Sequence, residues 1–282
     1  MKKLFILLFT LLSLITNAQQ SFFRGNNNYQ APSPLLFQPP VIVQPGLILN
    51  LDAANPASYP GTGTTWTNLV TGNSVSNFTL AGGTFASNNG GVIRFGSSNG
   101  NASSSTGFAN LTTYTIEVWV KATGTRGDYD PSVIGNTNYT PCFFSEKYSG
   151  SVNMLLAYNA RGLTSGTSNN SYRYEAAIYK NGWKNYQIGT NYSSDLNNWI
   201  QIAATYDGSK LTIYRNGVAL GTSAVLGVSA LSQTSTGYYI AHRWDMTDGV
   251  YGDYSIVNMY NRALSPSEVA TNFNAVKARF GL

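Results

Sequence analysis

The strongest topological signal in the chain is WIQIAATYDGSKLTIYRNG, Trp199 to Gly217. Two strand-like runs, WIQIAATY and LTIYR, are separated by a segment opening on Asp207-Gly208, and Asn216-Gly217 leads into a third run from Val218. Asp-Gly and Asn-Gly supply the positive φ that both central residues of a type I′ turn need, so the spacing predicts tight hairpins and a three-stranded meander. Upstream, YTIEVWVKA (114–122) is apolar on both faces, as in a strand covered from both sides. Leu47, Leu49 and Leu51 share one face of a first strand whose other face carries Ile48, Asn50 and Asp52. Asn181-Gly182 predicts a further hairpin between strands at 172–180 and from Trp183 on, and two late strands are expected at 238–242 and 254–260.

One helix stands against this background. Ser265-Pro266-Ser267-Glu268 combines a capping serine, proline at the first helical position and glutamate at the third. Val269, Phe273 and Val276 then share one face, with Lys277 and Arg279 near the negative end of the dipole. The helix is expected to pack on the end of a sandwich.

Composition narrows the function classes. Only 10% of the 282 residues are charged, against about 25% in an ordinary soluble domain. Hydrophobic residues reach 43%, enough for a packed core, and 28 glycines and 19 tyrosines favour turns and strands. The formal charge is +5, but the basic residues are scattered singly, which argues against a nucleic-acid partner. Lys2-Lys3, the apolar run Leu4 to Ile15 and Thr16-Asn17-Ala18 have the form of a secretory signal peptide cleaved after Ala18. Its loss lowers the formal charge to +3 and leaves a mature chain with no apolar run of the roughly 20 residues a membrane span needs. Secretion, to the periplasm or beyond the cell, follows as an expectation. Residues 19–46 hold Pro32, Pro34, Pro39, Pro40 and Pro45 and read as an extended linker; residues 47–282 read as one all-β domain. Cys142 is the single cysteine, so no intrachain disulfide forms and a buried thiol is expected.

LDAANPASYPGTGTTWTNL (51–69), TIEVWVKA (115–122), WIQIAATYDGSKLTIYRNG (199–217) and YSIVNMYNRALSPSEVATNF (254–273), in this order, resemble a laminin G-like domain of the concanavalin A-like lectin and glucanase superfamily. The resemblance spans roughly 47–282 and implies an all-β jelly-roll sandwich of two antiparallel sheets with one short C-terminal helix. Such folds host glycan binding, adhesion, spacer roles and some glycosidases. Where the family often places an acidic residue after the early tryptophan, this chain has Trp66-Thr67-Asn68, and where it has an Asp-rich stretch this chain has Phe95-Gly96-Ser97-Ser98-Asn99-Gly100.

A retaining glycosidase needs two carboxylates about 5 Å apart, and no Glu-x-Asp-x-x-Glu run delivers them; Glu117 and Glu175 each stand alone. His242, the only histidine, lacks a nucleophile pattern and reads as a strand residue. A non-enzymatic module is expected. Calcium is the one cofactor the residues suggest: if the first and last strands pair antiparallel, as the resemblance implies, Asp52 and Asp253 meet at a sheet edge as hard oxygen ligands. Sugar recognition needs aromatic faces and planar polar groups. Trp183, Tyr186 and Tyr192 in KNGWKNYQIGTNY, and Arg243, Trp244 and Asp245 in HRWDMTDG, are the candidates, whereas Trp119 and Trp199 belong to the core. The expected partner is a glycan or surface polysaccharide, met by a secreted carbohydrate-binding or adhesion module. The alternative is a structural module that contacts a surface protein and binds no small ligand.

Overall fold

The computed structural model describes residues 41–72, 74–96, 100–108, 111–125, 141–148, 151–159, 173–179, 183–187, 192–226, 236–243 and 249–282. The chain divides into Met1–Pro39 and Pro40–Leu282, and every described residue lies in the second unit. Strands numbered in chain order form two antiparallel sheets. The first holds β1 (Leu47–Asp52), β4 (Thr84–Ala86), β5 (Val92–Phe95), β7 (Tyr114–Thr125), β12 (Trp199–Tyr206), β13 (Leu211–Arg215), β14 (Val218–Thr222) and β16 (Val250–Tyr260). The second holds β2 (Thr65–Trp66), β3 (Phe78–Ala81), β6 (Asn101–Ser104), β8 (Cys142–Tyr148), β9 (Ser151–Asn159), β10 (Arg173–Tyr179), β11 (Trp183–Gln187) and β15 (Gly237–Ile240). Their orders are β14-β13-β12-β7-β16-β5-β4, with β1 also on β16, and β11-β10-β9-β8-β15-β6-β3-β2.

Period-two alternation builds the core. Ile116, Val118, Val120, Ile200 and Ile202 point inward from the first sheet and meet Phe78, Leu156, Ile178, Tyr238 and Ile240 of the second. The meander forms, with eight residue pairs from Trp199↔Lys121 to Tyr206↔Tyr114 joining β12 to the central β7. Its two turns differ. Asn216 and Gly217 adopt φ of +50° and +76° and close a two-residue hairpin as expected. The Asp207 turn takes four residues instead: Asp207 Oδ1 accepts from the backbone N–H groups of Ser209 (2.8 Å) and Lys210 (2.7 Å) and from the Ser209 hydroxyl (3.0 Å). The short acidic side chain organises that loop itself, so only Gly208 needs positive φ.

Two other expectations are corrected. A register irregularity between Leu47 and Leu49 breaks the shared leucine face, so Leu49, Leu51 and Ile48 enter the main core while Leu47 packs against Tyr214, Tyr260 and Val269. The helix α1 (Pro266–Val276) starts in the expected capping box, with Ser265 and Glu268 exchanging side-chain to backbone bonds. It lies on the outer face of the first sheet, not on the end of the sandwich. That face is apolar: Val269 meets Ala203, Tyr214 and Tyr260, and Trp119 stacks on Phe273 at 5.5 Å and Phe280 at 4.4 Å.

Two devices finish this side. Val43 to Gly46 form a strap across the cluster: the Asn272 side chain accepts from the Val43 N–H (2.8 Å), Tyr260 donates to the Val43 carbonyl (3.0 Å), and Arg262 to that of Pro45 (2.8 Å). Asn68 closes the free edge of β1. Its Nδ2 donates to the carbonyls of Ile48 and Val75, and its Oδ1 accepts from the N–H groups of Asn50 and Val70.

Candidate functional site

The outer face of the first sheet carries α1 and the strap, and the outer face of the second offers a separate surface at its β2, β3, β6 and β15 end. The strand register joins Thr65, Thr79, Ser103, Tyr239, Ser145, Leu155, Ala177 and Asn185 in one row across all eight strands. Their neighbours Trp66, Phe78, Leu80, Ala102, Tyr238 and Ile240 are inward core residues, so Thr79, Ser103 and Tyr239 are forced outward by the pleat. The row grades in character. Thr65 and Thr79 are exposed and Ser103 and Tyr239 half-buried, giving four hydroxyls without a charge; Ser145, Leu155 and Ala177 are buried; Asn185 is exposed and donates to Glu175 Oε1 at 3.1 Å.

Arg243, half-buried, lies three residues beyond the end of β15. Ser145 donates to the His242 carbonyl at 3.0 Å, and Gly249 bridges to both Cys142 and His242, so the two ends of the 243–249 segment are pinned to the sheet. A Cβ at Gly249 would stand 2.4 Å from the Ala241 carbonyl oxygen, which makes glycine a requirement there. Trp244 and Asp245 lie outside the described residues.

The other aromatic group does not join Arg243. Trp183 pairs with Tyr179 at the start of β11, four strands from β15 and therefore about 19 Å away across the sheet. Tyr186 is half-buried and packs against the main core. Tyr192 packs on Tyr174 with ring centroids 4.7 Å apart. Tyr174 donates to buried Asp195 (2.5 Å), which also takes Nε of Arg215 at 2.8 Å and its Nη2 at 2.5 Å. Burial first, then Tyr158 and Asp195, push the Tyr174 phenol far above its ordinary value, so it stays a neutral donor. Tyr192 therefore borders a knot that ties the second sheet to β13.

For the calcium candidates, β1 and β16 pair antiparallel, but Asp52 falls opposite Ile256, three residues along the strand from Asp253, which pairs with Arg94 and Lys121 instead. Both carboxylates, moreover, hold arginine. Arg94 grips Asp253 through Nε (2.6 Å) and Nη2 (2.9 Å), and Arg279 Nη1 sits 2.7 Å from Asp52 Oδ1. Calcium takes six to eight oxygens, and in this arrangement guanidinium groups stand where it would bind. Among the described residues no three His, Cys, Asp or Glu side chains are placed to hold a metal.

Sequence reasoning missed the hydroxyl row because Thr79, Ser103 and Tyr239 carry no motif; the one available signal was the alternation with Tyr238 and Ile240. It also missed what surrounds Glu117. This fully buried carboxylate accepts from Asn272 (2.8 Å) and Asn258 (3.3 Å) through Oε2, while Oε1 has no partner. Burial raises its pKa to about 7 against the pull of both amides.

Known proteins give the frame for this geometry. A family model described as the concanavalin A-like lectin/glucanases superfamily matches residues 95–270. By sequence, no curated protein matches the chain. Among solved structures, the binding domain of Paraclostridial mosquitocidal protein 1 superposes with a TM-score of 0.58 at 14% identity, over 82% of this chain and 52% of that one. Domain 4 of AbnA, a GH43 extracellular arabinanase from Geobacillus stearothermophilus, in complex with arabinotriose, gives 0.53 at 15% identity, over 79% and 96%. The botulinum neurotoxin serotype D ligand-binding domain in complex with N-acetylneuraminic acid gives 0.55 at 10%, over 81% and 50%. The chain thus spans about half the length of the first and third, and at these identities the likeness is one of fold.

Proposed function

We propose that this chain, which belongs to the concanavalin A-like lectin/glucanase superfamily, is a secreted, non-catalytic glycan-binding module. The observation that carries the reading is the uncharged row Thr65, Thr79, Ser103 and Tyr239, exposed or half-buried on the outer face of the second sheet. Hydroxyls exchange hydrogen bonds with sugar hydroxyls in either direction, and the tyrosine ring offers a face for the C–H side of a pyranose. Two solved relatives of this fold hold an arabinotriose and an N-acetylneuraminic acid. The carboxylates also speak for binding over hydrolysis: Asp52, Asp195, Asp253 and Glu268 are each paired with an arginine, which leaves them poor acids or nucleophiles.

Export rests on the leader at residues 1–18. Among the described residues no helix is long and apolar enough to cross a membrane. A glycan array with the wild type and Tyr239→Ala tests the function. Binding by the wild type that falls at least tenfold in the variant supports the row as the site; a wild type that binds no glycan returns the chain to the protein-contact alternative. Trp183→Ala on the same array shows whether the far edge of the sheet contributes.

A further inference from the structure

We infer that the β1 edge, where Asn68 and its neighbours close it, carries a second saccharide subsite, one that takes a single neutral sugar unit in a pocket lined by Asn50. The inference rests on the glycan-binding reading but concerns the opposite side of the sandwich. Ile42, Gln44, Leu47, Asn50, Leu69, Val70 and Thr71 enclose about 380 Å³, within the range of small-ligand pockets. One wall is the strap, fixed by Asn272, Tyr260 and Arg262; the other is the 69–71 turn, fixed by Asn68. The pocket is thus walled before any ligand arrives.

The orientation of Asn50 follows from a relay that ends in Glu117. Oε2 of Glu117 accepts, so Asn258 must turn its Nδ2 toward it; the Asn258 Oδ1 is then left to accept from Asn50 Nδ2, at 2.8 Å. This commits one amide hydrogen of Asn50 and leaves its carbonyl oxygen and second hydrogen for a ligand. Gln44 donates to the Ile42 carbonyl (2.9 Å), which likewise leaves its own carbonyl oxygen. Thr71 adds a hydroxyl, while Ile42, Leu47, Leu69 and Val70 add aliphatic surface. Among the described residues no charged side chain lines the pocket. A lining that is mostly polar, with a smaller aliphatic part, suits a hydroxyl-rich molecule, and its lack of charge among the described residues favours a neutral sugar over a uronic acid.

Saturation-transfer NMR with glucose, galactose, N-acetylglucosamine and glucuronate as separate probes tests this on the full mature chain. The neutral probes are expected to receive saturation with affinities on the order of millimolar, and glucuronate to receive at least tenfold less. In Tyr239→Ala, which disables the row, the neutral signal should persist, and adding either Thr71→Trp, an exposed substitution that fills the mouth without touching the core, or Asn50→Ala should abolish it. A signal that survives Thr71→Trp but vanishes with Tyr239→Ala overturns the subsite and leaves the glycan-binding reading intact. No transfer to any neutral probe overturns the subsite whatever the array shows. Thr71→Trp keeps the test decisive even if Asn50→Ala fails to fold.

Discussion

Glu117 shows how a single buried side chain sets a pH response. Its pKa rises from 4.5 unfolded to about 7 folded, with burial the largest cause. A raised folded pKa means the contribution to stability is complete below about pH 4.5 and is lost as pH climbs through about 7. The span corresponds to about 3 kcal/mol. Chemical denaturation between pH 4.5 and 8 should therefore show declining stability in the wild type and a flatter profile in Glu117→Gln, which keeps an acceptor for both asparagines and cannot ionise. Glu268 runs the other way. Its hydrogen bond to Arg262 first, then the capping box, lower it to about 2, so its contribution is lost as pH falls from 4.5 toward 2. Asn68 illustrates specificity of another kind, since all four of its amide sites are used. Asn68→Asp would set a carboxylate against the carbonyls of Ile48 and Val75, and a loss of at least about 2 kcal/mol is expected on denaturation. Neither role was legible in the chain: the partners of Glu117 lie 141 and 155 residues away in sequence, and nothing local announces them.

Elements specified by local chemistry were legible. Asn216-Gly217 makes its hairpin because the two residues tolerate the left-handed region, and the helix starts where Ser265, Pro266 and Glu268 say it should. Gly217 is constrained twice, since an added Cβ would also lie 2.9 Å from Cβ of Phe273 on α1. Gly217→Ala should cost more than about 1 kcal/mol and lower Tm, a larger effect than the ~1 kcal/mol expected for removing the cap with Ser265→Ala. What the local signals could not supply was the docking of each element. Val269, Phe273 and Val276 identify an apolar helix face without saying which sheet receives it. In the same way, period-two alternation made Tyr238–His242 a strand but left the side of Tyr239, and with it the hydroxyl row, to the pairing of β6, β15 and β8.

Across the whole molecule the scarcity of charge acquires a distribution. Among the described residues four carboxylates are tied to arginines, two of them joining distant segments: Asp52 to Arg279 and Asp253 to Arg94. Arg279 alone also reaches the carbonyls of Asn89 and Gly91 and the hydroxyl of Ser255, stitching the C-terminal turn to three loops and strands. Because those guanidinium groups neutralise the proposed metal ligands, melting with and without chelator is expected to give the same Tm; a drop with chelator that calcium restores, and that is lost in Asp52→Asn or Asp253→Asn, would overturn this. The antiparallel pairing of β1 with β16 came from strand order, which the sequence resemblance conveyed, whereas the arginines that hold Asp253 and Asp52 come from side chains 159 and 227 residues distant.

The strap at Val43–Gly46 and the final turn at Phe280 both press on the outer face of the first sheet. A tether joined at Leu282 therefore pulls from that side. Captured on a support by this end, the domain would turn its hydroxyl row to the solution and its Asn50 pocket toward the surface, so immobilised and free-solution measurements would sample different parts of the same protein.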